Sequence, residues 1–331
     1  MLIARPSDPD VPNGGFTVVD GFSRIVRLGE GLGETGALSP DAMDRTIEAL
    51  TVCAGKIAAR GARHKRCVTT EACRQAANSD AFIERVERET GLALEIVSPE
   101  REAELTLIGC VPLLNTGHER ALIFDIGGGS TEVQWVDIPR KGSGDVPTAI
   151  DVMSLPVGVV TLAERYGTGA MTEETHAAIV SEIAIHLDAF TDRNGIDAHI
   201  AAGAVQMLGT SGTVTTLGAL HLGLGRYDRS RVDGLTVDFK SLRALSAELS
   251  ELDFEARRRI PCIGHGRADL MLMGCALLGG ICNRWPVGKL RIADRGIREG
   301  LLNEMMRPPQ SDADAETEAE PLSVLPAARA F

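Results

Sequence analysis

The residues with the clearest chemical purpose are Asp125-Ile126-Gly127-Gly128-Gly129-Ser130-Thr131-Glu132. Three consecutive glycines permit positive φ and close backbone approach, so successive N–H groups can form an anion-binding concavity. Ser130 and Thr131 belong to the same candidate phosphate-binding turn, and Asp125 and Glu132 flank it as carboxylates suited to position Mg²⁺ through water. Apolar Ala121–Phe124 leads into the loop, and Thr131–Val136 alternates after it as a second strand. A strand after the glycines disfavours the dinucleotide fingerprint and the Walker loop, both of which need a helix N-terminus there. The plain alternative is a flexible hairpin turn, which the buried strands and the two bracketing carboxylates disfavour. A second loop, Gly209-Thr210-Ser211-Gly212-Thr213-Val214, runs from a strand into a helix. Its helix N-terminus could face phosphate, and an ordinary helix cap explains it equally well.

The elements that must position these loops can be read from periodicity. Gly15–Leu28 reads as one or two strands with a turn near Asp20-Gly21. Ser39 then caps a helix that opens on Pro40 and carries apolar residues at helical spacing until Gly61. Lys65–Thr69 and Leu92–Val97 read as strands, Ser79–Thr90 as a helix, and Ser98-Pro99-Glu100 opens a helix to about Cys110. After the glycine hairpin come a strand at Ala149–Leu155 and helices near Glu173–Phe190, Val214–Leu222 and Ser241–Leu252. A long apolar helix spans Ala268–Cys282, followed by a strand at Leu290–Ala293 and a helix at Ile297–Met306. Both halves begin with antiparallel strands and continue with interleaved helices and strands, a repeated α/β architecture without sequence repetition. From Pro308 the composition turns to PPQSDADAETEAEPLS, which reads as a disordered acidic tail.

Composition narrows the classes further. The 331 residues carry 34 basic and 46 acidic side chains, for a net charge of −12, which speaks against general nucleic-acid binding but not against an anion in a locally built cleft. No stretch approaches the ~20 apolar residues of a membrane span. The start, MLIARPSDPDV, has no basic region followed by an apolar core. The seven cysteines include no CxxC pair and read as small buried hydrophobes in a reducing cytoplasm, not as a disulfide framework or a zinc site.

Taken together the motifs resemble the exopolyphosphatase/guanosine pentaphosphate phosphatase (Ppx/GppA) family. The resemblance rests on DIGGGSTE, the helix from Glu100 to Leu105, Ser154–Gly158 (SLPVG), Gly209–Leu217 (GTSGTVTTL), Arg267-Ala268-Asp269 and Asp294–Gly300. A strand–glycine turn–strand hairpin is also how actin, sugar kinases and Hsp70 hold nucleotide phosphates. The resemblance implies two actin-like, Hsp70-like (ribonuclease H-like) α/β domains with a phosphate cleft between them. They would cover residues 1–119 and 120–306, with the last helix returning to the first domain and the tail at 307–331. It further implies Mg²⁺-dependent release of terminal phosphate from inorganic polyphosphate, or of the 5′ γ-phosphate from guanosine pentaphosphate. The family's catalytic glutamate falls on Glu102, with Arg101 in place of an adjacent glutamate. The residues alone leave Glu100, Glu102 and Glu104 equally suited to an exposed helix face. Arg74 matches the family's phosphate-binding arginine, a role its planar donors suit, with a structural ion pair as the alternative. Arg267 lies in a matched motif that helix packing explains equally well. Arg257-Arg258-Arg259 reads as a solvated face that could extend a polyanion path. Family members often form homodimers, although no heptad or apolar stripe here demands one.

One family element is missing: the Asp-x-Gly-[Ser/Thr]-Asn loop between the first two strands. Asp20-Gly21-Phe22-Ser23 lacks its second glycine and asparagine. Met1–Ala4 reads as the end of the family's second strand, which places the missing strand and loop upstream of Met1 and leaves a sheet edge exposed. A shortened, non-catalytic sensor of polyphosphate or of guanosine penta- or tetraphosphate is the alternative, and an actin-like kinase is disfavoured by the phosphatase-specific motifs.

Overall fold

Residues 1–7, 15–167, 171–264 and 266–306 are described by a computed structural model; the acidic tail expected from Pro308 lies outside the described residues. In the first half, β1 (Leu2–Pro6) pairs antiparallel with β2 (Phe16–Gly21). Residues 22–28 then run on without the second strand that Gly15–Leu28 allowed. A short α1 (Leu32–Thr35) precedes α2 (Pro40–Arg60), capped as its sequence predicts: Ser39 accepts from the Ala42 amide, and Gly61 closes it at φ +61°. There follow β3 (Val68–Thr69), α3 (Glu71–Gln75), α4 (Ser79–Thr90), β4 (Glu95–Ile96) and α5 (Pro99–Cys110). The short strands β3 and β4 pair in parallel as a sheet separate from β1–β2. An apolar groove of about 400 Å³ runs between Met1–Ala4 and Cys67–Val68, walled by Leu50, Cys53 and Ile57 of α2.

The second half is built on one six-stranded sheet. Its elements are β5 (Arg120–Ile126), β6 (Thr131–Asp137), β7 (Thr148–Leu155), α6 (Val159–Tyr166), α7 (Glu173–Asn194), α8 (Ile196–Ala201), β8 (Val205–Thr210), α9 (Gly212–His221) and α10 (Arg229–Val232). They continue with β9 (Thr236–Asp238), α11 (Phe239–Glu251), α12 (Phe254–Arg259), α13 (Met271–Arg284), β10 (Lys289–Ala293) and α14 (Ile297–Met306). Strand order is β7-β6-β5-β8-β10-β9. β5, β6 and β7 form an antiparallel meander, β5, β8 and β10 run parallel, and β9 is an antiparallel edge.

Between Arg120 and Asp125, β5 is apolar because both of its faces are covered, and its alternate residues enter different cores. Leu122, Phe124 and Ile126 join the large cluster with Ile179 and Ile183 of α7 and with Ala276 and Leu277 of α13. Ala121 and Ile123 face the other way, onto Leu107 and Cys110 of α5. The β5–β6 turn is thereby fixed at one end of a packed sheet, beside α5.

α14 comes back across α5, and the crossing depends on glycine. A Cβ on Gly300 would overlap the Leu105 carbonyl oxygen, and one on Gly109 would overlap the Gly296 carbonyl oxygen. Glu299, 1% exposed, anchors the start of α14 by accepting from Arg229 at 2.6 Å and from the Gly296 amide at 2.9 Å. Gly300→Ala therefore forces two helix backbones apart. The expected result is a loss of about 1–3 kcal/mol, the usual range for overpacking, read as a lower urea midpoint at unchanged slope.

Candidate active site

The glycine turn sits at the floor of a cavity of about 420 Å³ that also reaches Glu71 and Glu102 from the first half and Gly212 and Arg267 from the second. Two contacts join the halves: Arg27, which lines the cavity, with Asp269 at 2.5 Å, and the Gly31 amide donating to Glu164 at 2.8 Å. Contrary to the expectation of positive φ, none of Gly127, Gly128 or Gly129 adopts it. Close approach is the constraint instead: a Cβ on Gly127 would overlap the Ser130 carbonyl oxygen, and one on Gly128 would press on Val160. The Gly127 carbonyl accepts from the Val159 amide and the Gly128 carbonyl from the Val160 and Thr161 amides, so the N-terminus of α6 is spent bracing the turn. A Cβ on Gly158 would overlap the Gly128 carbonyl, which explains the glycine of SLPVG. With the carbonyls tied back, the amides of Gly128 and Gly129 have no acceptor among the described residues, and both glycines line the cavity. Thr131 does not reach it: fully buried, its hydroxyl donates to the Val157 carbonyl at 2.7 Å.

The carboxylates around this turn crowd one another. Asp125 and Glu132 are direct cross-strand partners of the β5–β6 ladder. Glu132 is buried and accepts from Ser130 at 2.6 Å and Ser154 at 2.9 Å. Ser130 thus orients a carboxylate while lining the cavity. Among the described residues no group of three or more His, Cys, Asp or Glu side chains converges as a direct metal site.

Glu102 is not on an exposed face. It is 8% exposed in the first turn of α5, where Ser98 caps the helix and Pro99 opens it. Burial and then the charge of Glu132 push its carboxyl up to about 7, against the opposing pull of Arg74 at 2.9 Å. Burial, Glu132 and Glu102 likewise push Asp125 up to about 7, and burial raises Glu132 despite its two serine donors. Arg74 is raised as well, which for a cation favours the charge: burial disfavours it, but hydrogen bonds to Glu102 and Glu71 outweigh that. Within the pair Arg74 stays charged, and Glu102 is the member that titrates near neutrality.

Arg74 does not line the cavity; its guanidinium is engaged by Glu71, Glu102 and the Val97 carbonyl. Reading the sequence missed Glu71, whose only signal was its place three residues before Arg74. The second loop divides its roles. Gly209 is buried in β8, where a Cβ would strike the Phe124 ring, so it is a packing residue. Ser211 caps α9 from a φ of +130°, a conformation few residues other than glycine adopt. Thr210, Ser211 and Gly212 line a second cavity of about 800 Å³, which shares Asp125, Gly212 and Arg267 with the first. Arg267 therefore stands where the two spaces meet. Arg257 corrects the expectation of a solvated basic face: 2% exposed, it donates to the carbonyls of Leu252 and Ala268 and holds the α11–α12 corner together. Asp20 is engaged by Lys56 and Arg60, which hold its carboxyl down at about 2, so it takes no part in the cleft.

Residues 9–308 match the Ppx/GppA phosphatase family. The chain belongs to that family. It is 29% identical over 311 residues to a guanosine-5′-triphosphate,3′-diphosphate pyrophosphatase of Vibrio atlanticus, covering 92% of this chain and 56% of the relative. The chain thus spans little more than half the length of that relative. An exopolyphosphatase 2 of Mycobacterium tuberculosis is 26% identical over 292 residues, 84% of this chain and 86% of the relative. The crystal structure of the Aquifex aeolicus Ppx/GppA family member superposes with a TM-score of 0.72 at 27% identity, covering 94% of each chain. The fold is the actin-like one of the Ppx/GppA proteins.

In this Ppx/GppA cleft the raised carboxyl of Glu102 has a consequence for stability. A carboxyl at about 7 in the folded chain, against 4.5 ordinarily, retains a proton that the unfolded chain releases. Its contribution is intact below about pH 4.5 and is lost as pH rises through 7. Glu102→Gln cannot ionise. It should be more stable than wild type at pH 8, by on the order of 2 kcal/mol, with the difference vanishing near pH 4.5 in parallel urea titrations. Equal midpoints at both pH values would contradict the assignment.

Proposed function

We propose that the chain is a phosphoanhydride hydrolase that releases terminal phosphate from inorganic polyphosphate, with guanosine pentaphosphate as the alternative substrate of the same class. The observation that carries this is Glu102, a buried carboxylate that lines the same cavity as Gly128 and Gly129 and is held by Arg74. Polyphosphate comes first because the exopolyphosphatase relative is matched along most of both chains, and no segment here clearly reads a guanine.

Glu102 orients a water and takes its proton as the water oxygen bonds to the terminal phosphorus. The bond to the bridging oxygen breaks, and its electron pair departs with the shortened chain. The amides of Gly128 and Gly129 donate to the non-bridging oxygens, where charge develops. Arg74 adds a guanidinium to the same charge, and the second cavity gives the trailing phosphates room past Arg267. Asp125 and Glu132 would hold Mg²⁺ through its water shell: they face each other across the ladder, each raised chiefly by burial, with no third ligand for direct binding among the described residues. Bound there, the ion would neutralise phosphate charge and polarise the P–O bonds.

Incubated with Mg²⁺ and long-chain polyphosphate, the chain should release phosphate at a rate that rises with pH through about 7. Glu102→Gln should lower the rate at least ~100-fold, and a chelator should stop it. A folded chain that binds polyphosphate but releases nothing would move the assignment to a sensor.

A further inference from the structure

Glu71 opens α3, and its side chain lies over the glycine turn, with its Cγ 3.4 Å from where a Cβ on Gly129 would stand. Its Oε2 accepts from both Nε and Nη2 of Arg74, at 3.0 and 2.8 Å. Nη1 of Arg74 is taken by the Val97 carbonyl at 2.7 Å and by Glu102 at 2.9 Å. The carboxylates of Glu71 and Glu102 line the cavity, and the guanidinium behind them does not. The Nε–Nη2 edge is one of the two-donor edges with which a guanidinium grips a carboxylate or a phosphate. Glu71 already fills it with an oxygen of the same charge as a phosphate oxygen.

We propose that Glu71 is a built-in competitor for the substrate: the terminal phosphoryl group enters by displacing the Glu71 carboxylate from the Nε–Nη2 edge of Arg74. This rests on reading Arg74 as a phosphate ligand of the hydrolase. The exchange replaces one anion by another and involves no covalent step. Arg74 remains held by Val97 and Glu102 throughout, so only the Glu71 side chain has to turn about its own bonds, also giving up the hydrogen bond that its Oε1 accepts from Gln75 Nε2. A multiply charged phosphate chain displaces a single carboxylate more readily than a lone phosphate does. Glu71 therefore favours entry of polyphosphate and departure of the released product.

Calorimetric titration of the full chain with inorganic phosphate, which is not turned over, tests this directly. Glu71→Gln should bind phosphate about tenfold more tightly than wild type. In an Arg74→Ala background the same substitution should change affinity by less than twofold. In turnover, Glu71→Gln should lower KM for polyphosphate several-fold with kcat within about threefold, whereas a residue that merely steadied Arg74 would raise KM when altered. Glu71→Ser, which also removes the carboxylate, should reproduce the gain and guards against a fault peculiar to one variant. Unchanged or weaker phosphate binding in both variants, or a gain that persists without Arg74, would overturn the proposal. If the calorimetric pattern appears while the wild type releases no phosphate from polyphosphate, the competitor stands and the hydrolase reading falls. If release depends on Glu102 but phosphate affinity ignores Glu71, the hydrolase stands and the competitor falls.

Discussion

Glu102 keeps a carboxylate among groups that repel it, with Glu132 and Glu71 both acting against its charge and burial removing the water that would screen them. A group in that position survives only if its surroundings are rigid enough to prevent its escape to solvent. Arg74 supplies the compensating charge, and it is itself fixed at three points by Glu71, Glu102 and the Val97 carbonyl. The cleft is thus a set of like charges held apart by one shared cation, and a carboxyl close to its midpoint at neutral pH is the result.

The rigidity comes from the way α5 is tied on every side. Ser98 and Pro99 fix its start, and Thr106 donates back to the Glu102 carbonyl at 2.9 Å. Gln134 of β6 donates to the Ala103 carbonyl at 2.9 Å from a fully buried position, which links the helix bearing Glu102 to the hairpin bearing Asp125 and Glu132. On the remaining face α14 packs glycine against backbone. Base, glycine turn and flanking carboxylates therefore belong to one cross-tied unit. Arg74 and Glu71 approach from the first half, across a gap bridged by Arg27–Asp269 and Gly31–Glu164.

Much of this was legible in the chain because local signals and tertiary demands agree. Ser39-Pro40 to Gly61 and Ser79 to Thr90 form helices with those bounds, and the glycine hairpin is where its flanking periodicity puts it. What was not legible depended on packing between distant segments. The glycines of the turn suggested positive φ, yet close approach is what constrains them, by the Ser130 carbonyl at Gly127 and by Val160 of α6 at Gly128. Arg257 looked like part of a basic run, and only the fold shows three backbone carbonyls converging on it. The short edge strand β9 carries too few residues to show a period. Glu71 pairs with Arg74 within α3, one helical turn apart, but that this pair backs onto Glu102 appears only when α3 and α5 are brought together. Glu102 is singled out by family resemblance; periodicity alone cannot separate it from Glu100 and Glu104, both of which are exposed where Glu102 is buried.

The central claim is that Glu102 is protonated near neutrality because of where the fold puts it. The most direct measurement is the titration of its side-chain carboxyl by carbon-13 NMR on glutamate-labelled chain, with the resonance assigned by its loss in Glu102→Gln. The account predicts a midpoint near 7, separated from the bulk of the glutamates titrating near their ordinary value. A Glu102 resonance that titrates with that bulk would contradict it and remove the physical basis for a general base at this position.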